Sequence, residues 1–336
     1  MSPPLRLIRD AGALAANWRT LAALSGGAAC GAAVKADGYG LGAAWAARTL
    51  ATAGCRDFFV ATWAEAEALA PLDLPALSVL HGVREDDMAG AMTGIARPVL
   101  STPAQVARWR AACGGACDVM IDTGMNRLGL AEDAASLLDG LAVETLMSHL
   151  ASADEDSPLN AVQRARFVGA AAGITAKRLS LANSAGIALG SDYAFDLTRP
   201  GLALYGGVPR AELAGRIAPV ARIEAQVLQR RHVPAGATIG YNATYRAATP
   251  VEVAILNIGY ADGYFRGFSG TGRAYAGDVA CPVLGRVSMD LVAVDVSRAH
   301  VGEGDWLAVD FDLPDAAAAS GMSQYELLTG LGNRLG

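Results

Sequence analysis

The sequence predicts an α/β fold, a (β/α)8 TIM barrel over residues 1–218, followed by a mostly-β C-terminal domain over residues 219–336. Three observations lead there. Short β-rich runs alternate with Ala-rich, helix-favouring stretches from residue 28 to 206. These runs number eight, which argues for a closed barrel over an open sheet. After residue 218 the helical texture stops, and β-type runs follow one another across Gly-rich turns.

In chain order the barrel strands are expected at 28–36, 57–62, 76–82, 97–101, 117–122, 143–149, 178–184 and 196–205. Helix candidates at 41–53, 63–70, 103–112, 131–140 and 160–173 lie between them. In the second domain the β-type runs are 221–233, 251–259, 279–284, 291–296 and 306–311. Only the stretch from Ser323 to Leu331 looks helical again, and no repeat or long linker interrupts the chain.

Composition narrows the function classes. Hydrophobic residues make up 52% and charged residues 18%, so a large core is available and disorder is excluded. A net charge of −6 gives no footprint for nucleic acid or an anionic membrane surface. The segment Met1 to Arg6 lacks a secretory pattern, and charge or Gly breaks the apolar stretches before the roughly 20 residues of a membrane span. A cytoplasmic location is expected. Cys113 and Cys117 stand without the second pair or nearby His of a zinc site, so no metal is expected and the five cysteines read as buried reduced thiols. Of the 27 basic residues only Lys35 and Lys177 are lysines. Only an amine can lose its proton and form an imine, a chemistry closed to arginine.

Active sites of barrels form at the C-terminal ends of the strands. Lys35 ends the first run, Asp122 to Arg127 follow the fifth, His149 ends the sixth, Asn183-Ser184 end the seventh, and Arg199-Pro200-Gly201 lies by the eighth. The last two loops are also where barrels bind phosphate, which suits Ser184 and the Gly201 backbone. Lys35 sits in the apolar string Ala32-Ala33-Val34-Lys35-Ala36, where desolvation frees the amine to attack an aldehyde. Read alone, the position better suits a lysine that reaches out to solvent at a strand end. The Gly-rich continuation, Gly38-Tyr39-Gly40-Leu41-Gly42, lacks dinucleotide-binding spacing and the acidic partner that motif needs.

The string Ala33-Val34-Lys35-Ala36-Asp37-Gly38-Tyr39-Gly40 closely resembles the cofactor-lysine motif of the alanine racemase family. Asp122-Thr123-Gly124-Met125-Asn126-Arg127 resembles its substrate-arginine motif, Ser148-His149 its histidine segment, Asn183-Ser184-Ala185 its phosphate loop, and Arg199-Pro200-Gly201 the segment under the pyridine ring. In the second domain, Ile239-Gly240-Tyr241 resembles the catalytic-tyrosine motif, and Gly259-Tyr260-Ala261-Asp262-Gly263 and Gly285 to Asp290 are also similar. The matches run in the family's order from about residue 28 to 334.

The resemblance implies a homodimeric, pyridoxal 5'-phosphate-dependent racemase with shared active sites that interconverts L- and D-alanine and supplies D-alanine for peptidoglycan. It implies that Lys35 carries the cofactor as an imine and acts as one acid/base group. Tyr241, from the partner subunit, would be the other on the opposite face of the α-carbon. Inversion needs a proton removed on one face and returned on the other, with the cofactor delocalising the charge between. A free tyrosine has a pKa near 10, so Tyr241 needs nearby positive charge. Arg199 would donate to the ring nitrogen, with His149 orienting it or stacking near the ring. Tyr39, Asn183, Ser184, Gly201 and Leu202 would hold the phosphate. Arg127 would bind the substrate carboxylate with the Met289 N–H, and Tyr260 would line the entry.

Two departures stand out. Met120 occupies the position where many family members carry a modified lysine that partners the substrate arginine, and Asn333 replaces a phosphate-contacting tyrosine. The second departure raises serine as a further substrate, or a broader-specificity racemase. The competing readings are a barrel-type amino-acid decarboxylase, disfavoured by Arg199 in place of an acidic group, a non-catalytic pyridoxal-phosphate carrier, disfavoured by the second domain with Tyr241, and a cofactor-free sugar-phosphate barrel, which would leave Lys35 without an imine partner.

Overall fold

The computed structural model describes residues 3–332 and 334. It divides into two compact units, residues 11–218 and residues 1–10 together with 219–336.

In the first unit all eight expected runs contribute parallel strands, seven of them in one sheet. Ala32–Ala33, Asp57–Val60, Ala76–Val79, Arg97–Leu100, Cys117–Met120, Val143–Met147 and Arg178–Ser180 lie side by side in chain order. The eighth strand, Leu197–Thr198, pairs in parallel with Ala29–Cys30. The first run is thus split at Gly31, its leading half paired to the eighth strand and its trailing half to the second. A Cβ at Gly31 would lie 2.8 Å from the Asp57 carbonyl and 2.9 Å from the Phe59 ring, so glycine alone fits this close passage. Main-chain bonds from Asp196 N to Leu179 O (3.0 Å) and from Gly31 N to Thr198 O (2.9 Å) complete the ring of strands.

Strands such as Asp57–Val60 and Cys117–Met120 are buried along their whole length, as expected where both faces of a parallel sheet are covered. Ser78 Oγ donates to Asp118 Oδ2 at 2.6 Å, and Arg178 Nη2 meets Asp57 Oδ1 at 2.7 Å. These pairs join non-neighbouring strands, so the side chains point into the barrel interior.

The helices Ala43–Ala53, Trp63–Leu69, Pro103–Ala111 and Leu159–Ala171 form where the sequence placed them. Thr62 and Glu65 make a capping box at Trp63, and Thr102 caps Pro103–Ala111, which has Pro in its first turn. Three expectations change. The run 131–140 tightens into a 3-10 helix, Ala134–Leu138, whose leading Asp133 supplies no side-chain cap. The run 196–205 is strand only at Leu197–Thr198, because Pro200 has no N–H for a ladder and Leu202–Tyr205 winds into a 3-10 turn. Helix Ala11–Leu24, unforeseen, is pinned by Asn17, whose amide donates to Leu204 O and Ala218 O and accepts from Ala218 N.

In the second unit a closed antiparallel ring runs through Ala221–Val233, Val251–Leu256, Val292–Asp295, Val279–Leu284, Arg273–Ala276 and Trp306–Val309, and back to Ala221–Val233. Ile223, Ala225 and Val227 alternate with less buried neighbours, the period-2 pattern of a strand with one face in the core. Residues 3–10 belong here and not with the barrel of 11–218. Strand Leu5–Arg9 pairs antiparallel with Ala221–Val233, with Leu5 opposite Ala225 and Arg9 opposite Ala221. Besides the expected helix, seen as Gln324–Thr329, the Ala-rich segment Leu313–Ser320 is helical.

Candidate active site

Lys35 does not lie within a strand. The strand ends at Ala33, and after Lys35 the chain turns left-handed for five residues, with φ of 52° at Ala36, 50° at Asp37, 62° at Gly38, 57° at Tyr39 and 82° at Gly40. Each non-glycine residue in that region costs about 1–2 kcal/mol, so the turn must be held from outside. Ala36 N donates to Glu65 Oε1 at 2.7 Å and Ala43 N to Asp37 Oδ1 at 2.8 Å, while the Tyr39 ring stacks on Tyr205 at 4.8 Å. Burial lowers the pKa of Lys35, and Arg127 and Arg199 push the same way against Glu65. The other lysine, Lys177, is 70% exposed and pairs with Glu144 at 2.5 Å. It is a surface ion pair.

Three of the expected residues share an electrostatic environment with Lys35. Burial, then Arg199, Arg127 and Lys35, push the His149 imidazole down to about 3, so it is neutral at pH 7. Arg199 is 7% exposed, and burial pushes its pKa down to about 10, opposed by Asp118. The guanidinium therefore keeps its charge at neutral pH. Its Nη2 donates to Ser148 O at 2.6 Å and its Nη1 to Ser180 Oγ, which in turn donates to Leu197 O. Ser148 stands in the histidine segment with no role of its own assigned there, and Ser180 belongs to none of the motifs, since an ordinary strand serine carries no signal. The main chain around His149 is fixed by Gln163, whose amide donates to His149 O at 3.0 Å.

Arg127 is exposed, at the end of a loop organised by Asp122. One carboxylate accepts from four successive N–H groups, Gly124 (2.8 Å), Met125 (2.9 Å), Asn126 (3.1 Å) and Arg127 (3.1 Å). Partial burial works to raise the Asp122 pKa, but these donors outweigh it and hold the group below the usual carboxylate range.

The segments expected to hold phosphate converge. Asn183 caps helix Ser184–Ala188, its Oδ1 accepting from Gly186 N at 2.8 Å. Ser184 Oγ accepts from Gly201 N at 2.9 Å and Ala203 N at 3.2 Å. The Gly201 N–H, expected to face an anion directly, thus donates to Ser184, and the hydroxyl proton is the donor that remains for an anion. A Cβ at Gly201 would lie 2.1 Å from the Tyr39 hydroxyl oxygen, so glycine brings Tyr39 into this group, with Leu202 buried at the next position.

The remaining three expected residues belong to the second unit. Tyr241 is 66% exposed at the tip of a hairpin formed by Thr238–Ile239 and Tyr245–Arg246, whose turn carries φ of 76° at Gly240, 59° at Asn242 and 50° at Ala243. It borders a groove of about 690 Å³ walled also by Arg286, Ser288 and Leu291. Tyr260 and Met289 are brought together, with Tyr260 N donating to Ser288 O and Ala261 N to Met289 O, both at 3.0 Å. Gly259 permits this, since a Cβ there would lie 2.3 Å from Met289 O.

Comparison with known proteins identifies the family. The family model described as "Alanine racemase, N-terminal domain" matches residues 10–209, and "Alanine racemase, C-terminal domain" matches residues 220–336. The chain belongs to the alanine racemase family. An alanine racemase of Acidiphilium cryptum is 45% identical over 97% of this chain and 96% of its own length. A protein of Agrobacterium fabrum named as a catabolic alanine racemase is 41% identical, over 97% of this chain and 89% of its own. The crystal structure of alanine racemase from Bartonella henselae with covalently bound pyridoxal phosphate superposes with a TM-score of 0.92 at 33% identity, covering 99% of this chain and 98% of that one.

Against the alanine racemase pattern, Met120 is buried in the fifth barrel strand, where it offers Arg127 no charge. Asn333 lies outside the described residues, whereas Arg334 pairs with Asp262 and Asp290 at 2.7 Å. Four cysteines are buried as expected, but Cys113 is exposed, at a turn residue with φ of 53°. Among the described residues no helix is long and apolar enough to cross a membrane.

Proposed function

We infer that this member of the alanine racemase family interconverts L- and D-alanine with pyridoxal phosphate, using Lys35 and Tyr241 as its two proton-transfer groups. Lys35 carries the reading: an amine at the mouth of the barrel, its pKa lowered by burial and by Arg127, beside a fixed cluster of anion-binding groups.

The donor set fits the cofactor. Lys35 would hold it covalently, and Ser184, Tyr39, Asn183 and the chain at Leu202 would take its phosphate, with Gly201 orienting Ser184 and leaving room for the Tyr39 hydroxyl. When bound, pyridoxal phosphate withdraws electrons from the substrate α-carbon and makes its proton removable. Arg199, which keeps its proton at neutral pH, would donate to the ring nitrogen, and neutral His149 would add no further charge there. Arg127 receives the substrate carboxylate in its planar fork, assisted by the Met289 N–H. Tyr241, standing exposed on its hairpin, serves the site of the partner subunit, and Tyr260 lines the entry. Lys35 and Tyr241 remove and return the proton on opposite faces, so the configuration inverts.

The homodimer, a cytoplasmic location, the supply of D-alanine for peptidoglycan and the acceptance of serine are part of this reading, the last resting on Asn333. The test is direct. Purified protein should show a visible absorption band that vanishes in Lys35→Ala, and L-alanine should lose optical rotation without release of CO2. Release of CO2 would select the decarboxylase, and colour without either reaction the carrier. Negligible turnover of L-serine beside L-alanine would remove serine.

A further inference from the structure

Glu65 belongs to none of the motifs above, yet its carboxylate is engaged on both oxygens. Oε2 accepts from Ala61 N at 2.6 Å and Thr62 N at 3.2 Å, and Oε1 accepts from Ala36 N at 2.7 Å. A capping box needs only the bond to Thr62. The bond to Ala36 crosses from the second barrel loop to the first and lands on the peptide directly after Lys35. That peptide opens a run of five positive φ angles, three of them at non-glycine residues. The Cα–Cβ direction of Lys35 is set by a chain that would relax if its first N–H were released.

The charged groups around the Lys35 amine come from several loops. Arg127 follows the fifth strand, Arg199 follows the eighth, and His149, neutral at pH 7, follows the sixth. Asp37, within the turn, spends Oδ1 on Ala43 N. Glu65 is the carboxylate that opposes the two arginines at the amine.

We propose that Glu65 is a positioning residue for Lys35, gripping the peptide that follows it and setting a negative charge against an amine otherwise flanked by cationic side chains. This rests on the reading of Lys35 as the cofactor lysine. It adds that the second loop of the barrel governs when that amine is free to react.

The test uses the full chain stripped of cofactor, labelled competitively with an amine-acylating reagent across pH. Lys35 and Lys177 are read as separate peptides by mass spectrometry, so exposed Lys177 is the internal standard. In Glu65→Gln the labelling midpoint of Lys35 should fall by about half a pH unit or more, with Lys177 unmoved. Thr62→Ala, which removes the cap but keeps the carboxylate, should leave the Lys35 midpoint in place. Glu65→Asp keeps the charge but retracts it by one methylene, so exchange of the Ala36 amide should accelerate at least about tenfold. An unmoved Lys35 midpoint in Glu65→Gln would overturn the proposal, as would a midpoint shift in Thr62→Ala equal to that of Glu65→Gln. Unchanged Ala36 exchange in Glu65→Asp would overturn it even if Glu65→Gln failed to fold. Failure of the underlying reading appears elsewhere, in a visible band of the cofactor-loaded protein that survives Lys35→Ala.

Discussion

Gly201 shows how much a single missing side chain accomplishes. Its bare Cα lets the Tyr39 hydroxyl approach to where a methyl group would lie 2.1 Å away, and its N–H orients Ser184. In Gly201→Ala the rigid Tyr39 ring has to move, breaking its stack on Tyr205. The expected result is cofactor retention weakened by about tenfold or more, roughly 1.4 kcal/mol, read from loss of the visible band on gel filtration. Arg199 gives a second outcome at this scale. It keeps its proton at neutral pH, so replacing it by an acid that shares a proton with the ring nitrogen should open a transamination side reaction. Keto acid accumulating from alanine in Arg199→Glu is the measurement, and none forming would count against this role. Arg199 was visible in the sequence as part of a motif. What holds it was not: the contact to the Ser148 carbonyl and the strand residue Ser180 leave no mark in one sequence, although Ser148 itself lies in the histidine segment.

Among the elements, the loop from Asp122 to Arg127 is the clearest case of backbone organised by one side chain. Four N–H groups converge on Asp122, so Asp122→Ala should cost about 1–3 kcal/mol and loosen the placement of Arg127. The expected signature is a raised KM for alanine with a smaller change in kcat. The pH dependence follows from the lowered folded pKa of Asp122. Its contribution is fully present above the unfolded value of about 3.9 and is lost as pH falls through the lower folded value. Acid unfolding of wild type and Asp122→Ala should therefore converge at low pH. At this scale the sequence placed all eight barrel strands, because parallel strands buried on both faces read as apolar runs. It misplaced the end of the first one. The left-handed turn at Ala36–Gly40 is enforced by Glu65 and Asp37, and local propensity opposes it at three of five residues.

For the whole molecule, the two units differ in how they are assembled from the chain. Residues 3–10 lie far in sequence from the unit they complete, and Arg6 pairs with Glu224 and lies 4.1 Å over the Trp306 ring. Trp306 is the one tryptophan of that unit among the five in the chain. Arg6→Ala should change Trp306 fluorescence and cost that unit no more than about 1 kcal/mol. The shared-site reading carries its own outcome. Lys35→Ala and Tyr241→Phe chains, each inactive alone, should on mixing and subunit exchange recover about a quarter of the wild-type sites, as expected for a two-fold dimer. A mixture as dead as its parts would assign Tyr241 to the site of its own chain.

Some properties of this protein follow from the order of its residues alone. The alternation of runs and helices, the change of texture after residue 218, the survival of two lysines and the ordered motifs rest on local periodicity and composition, which a linear string contains in full. Tertiary structure decided the rest. The strand Leu5–Arg9 finds its partner more than two hundred residues away, Gly31 passes against Asp57, and Glu65 reaches across a loop to the peptide after Lys35. Each of these depends on contacts between segments distant in sequence, where packing and hydrogen-bond satisfaction override what neighbouring residues prefer.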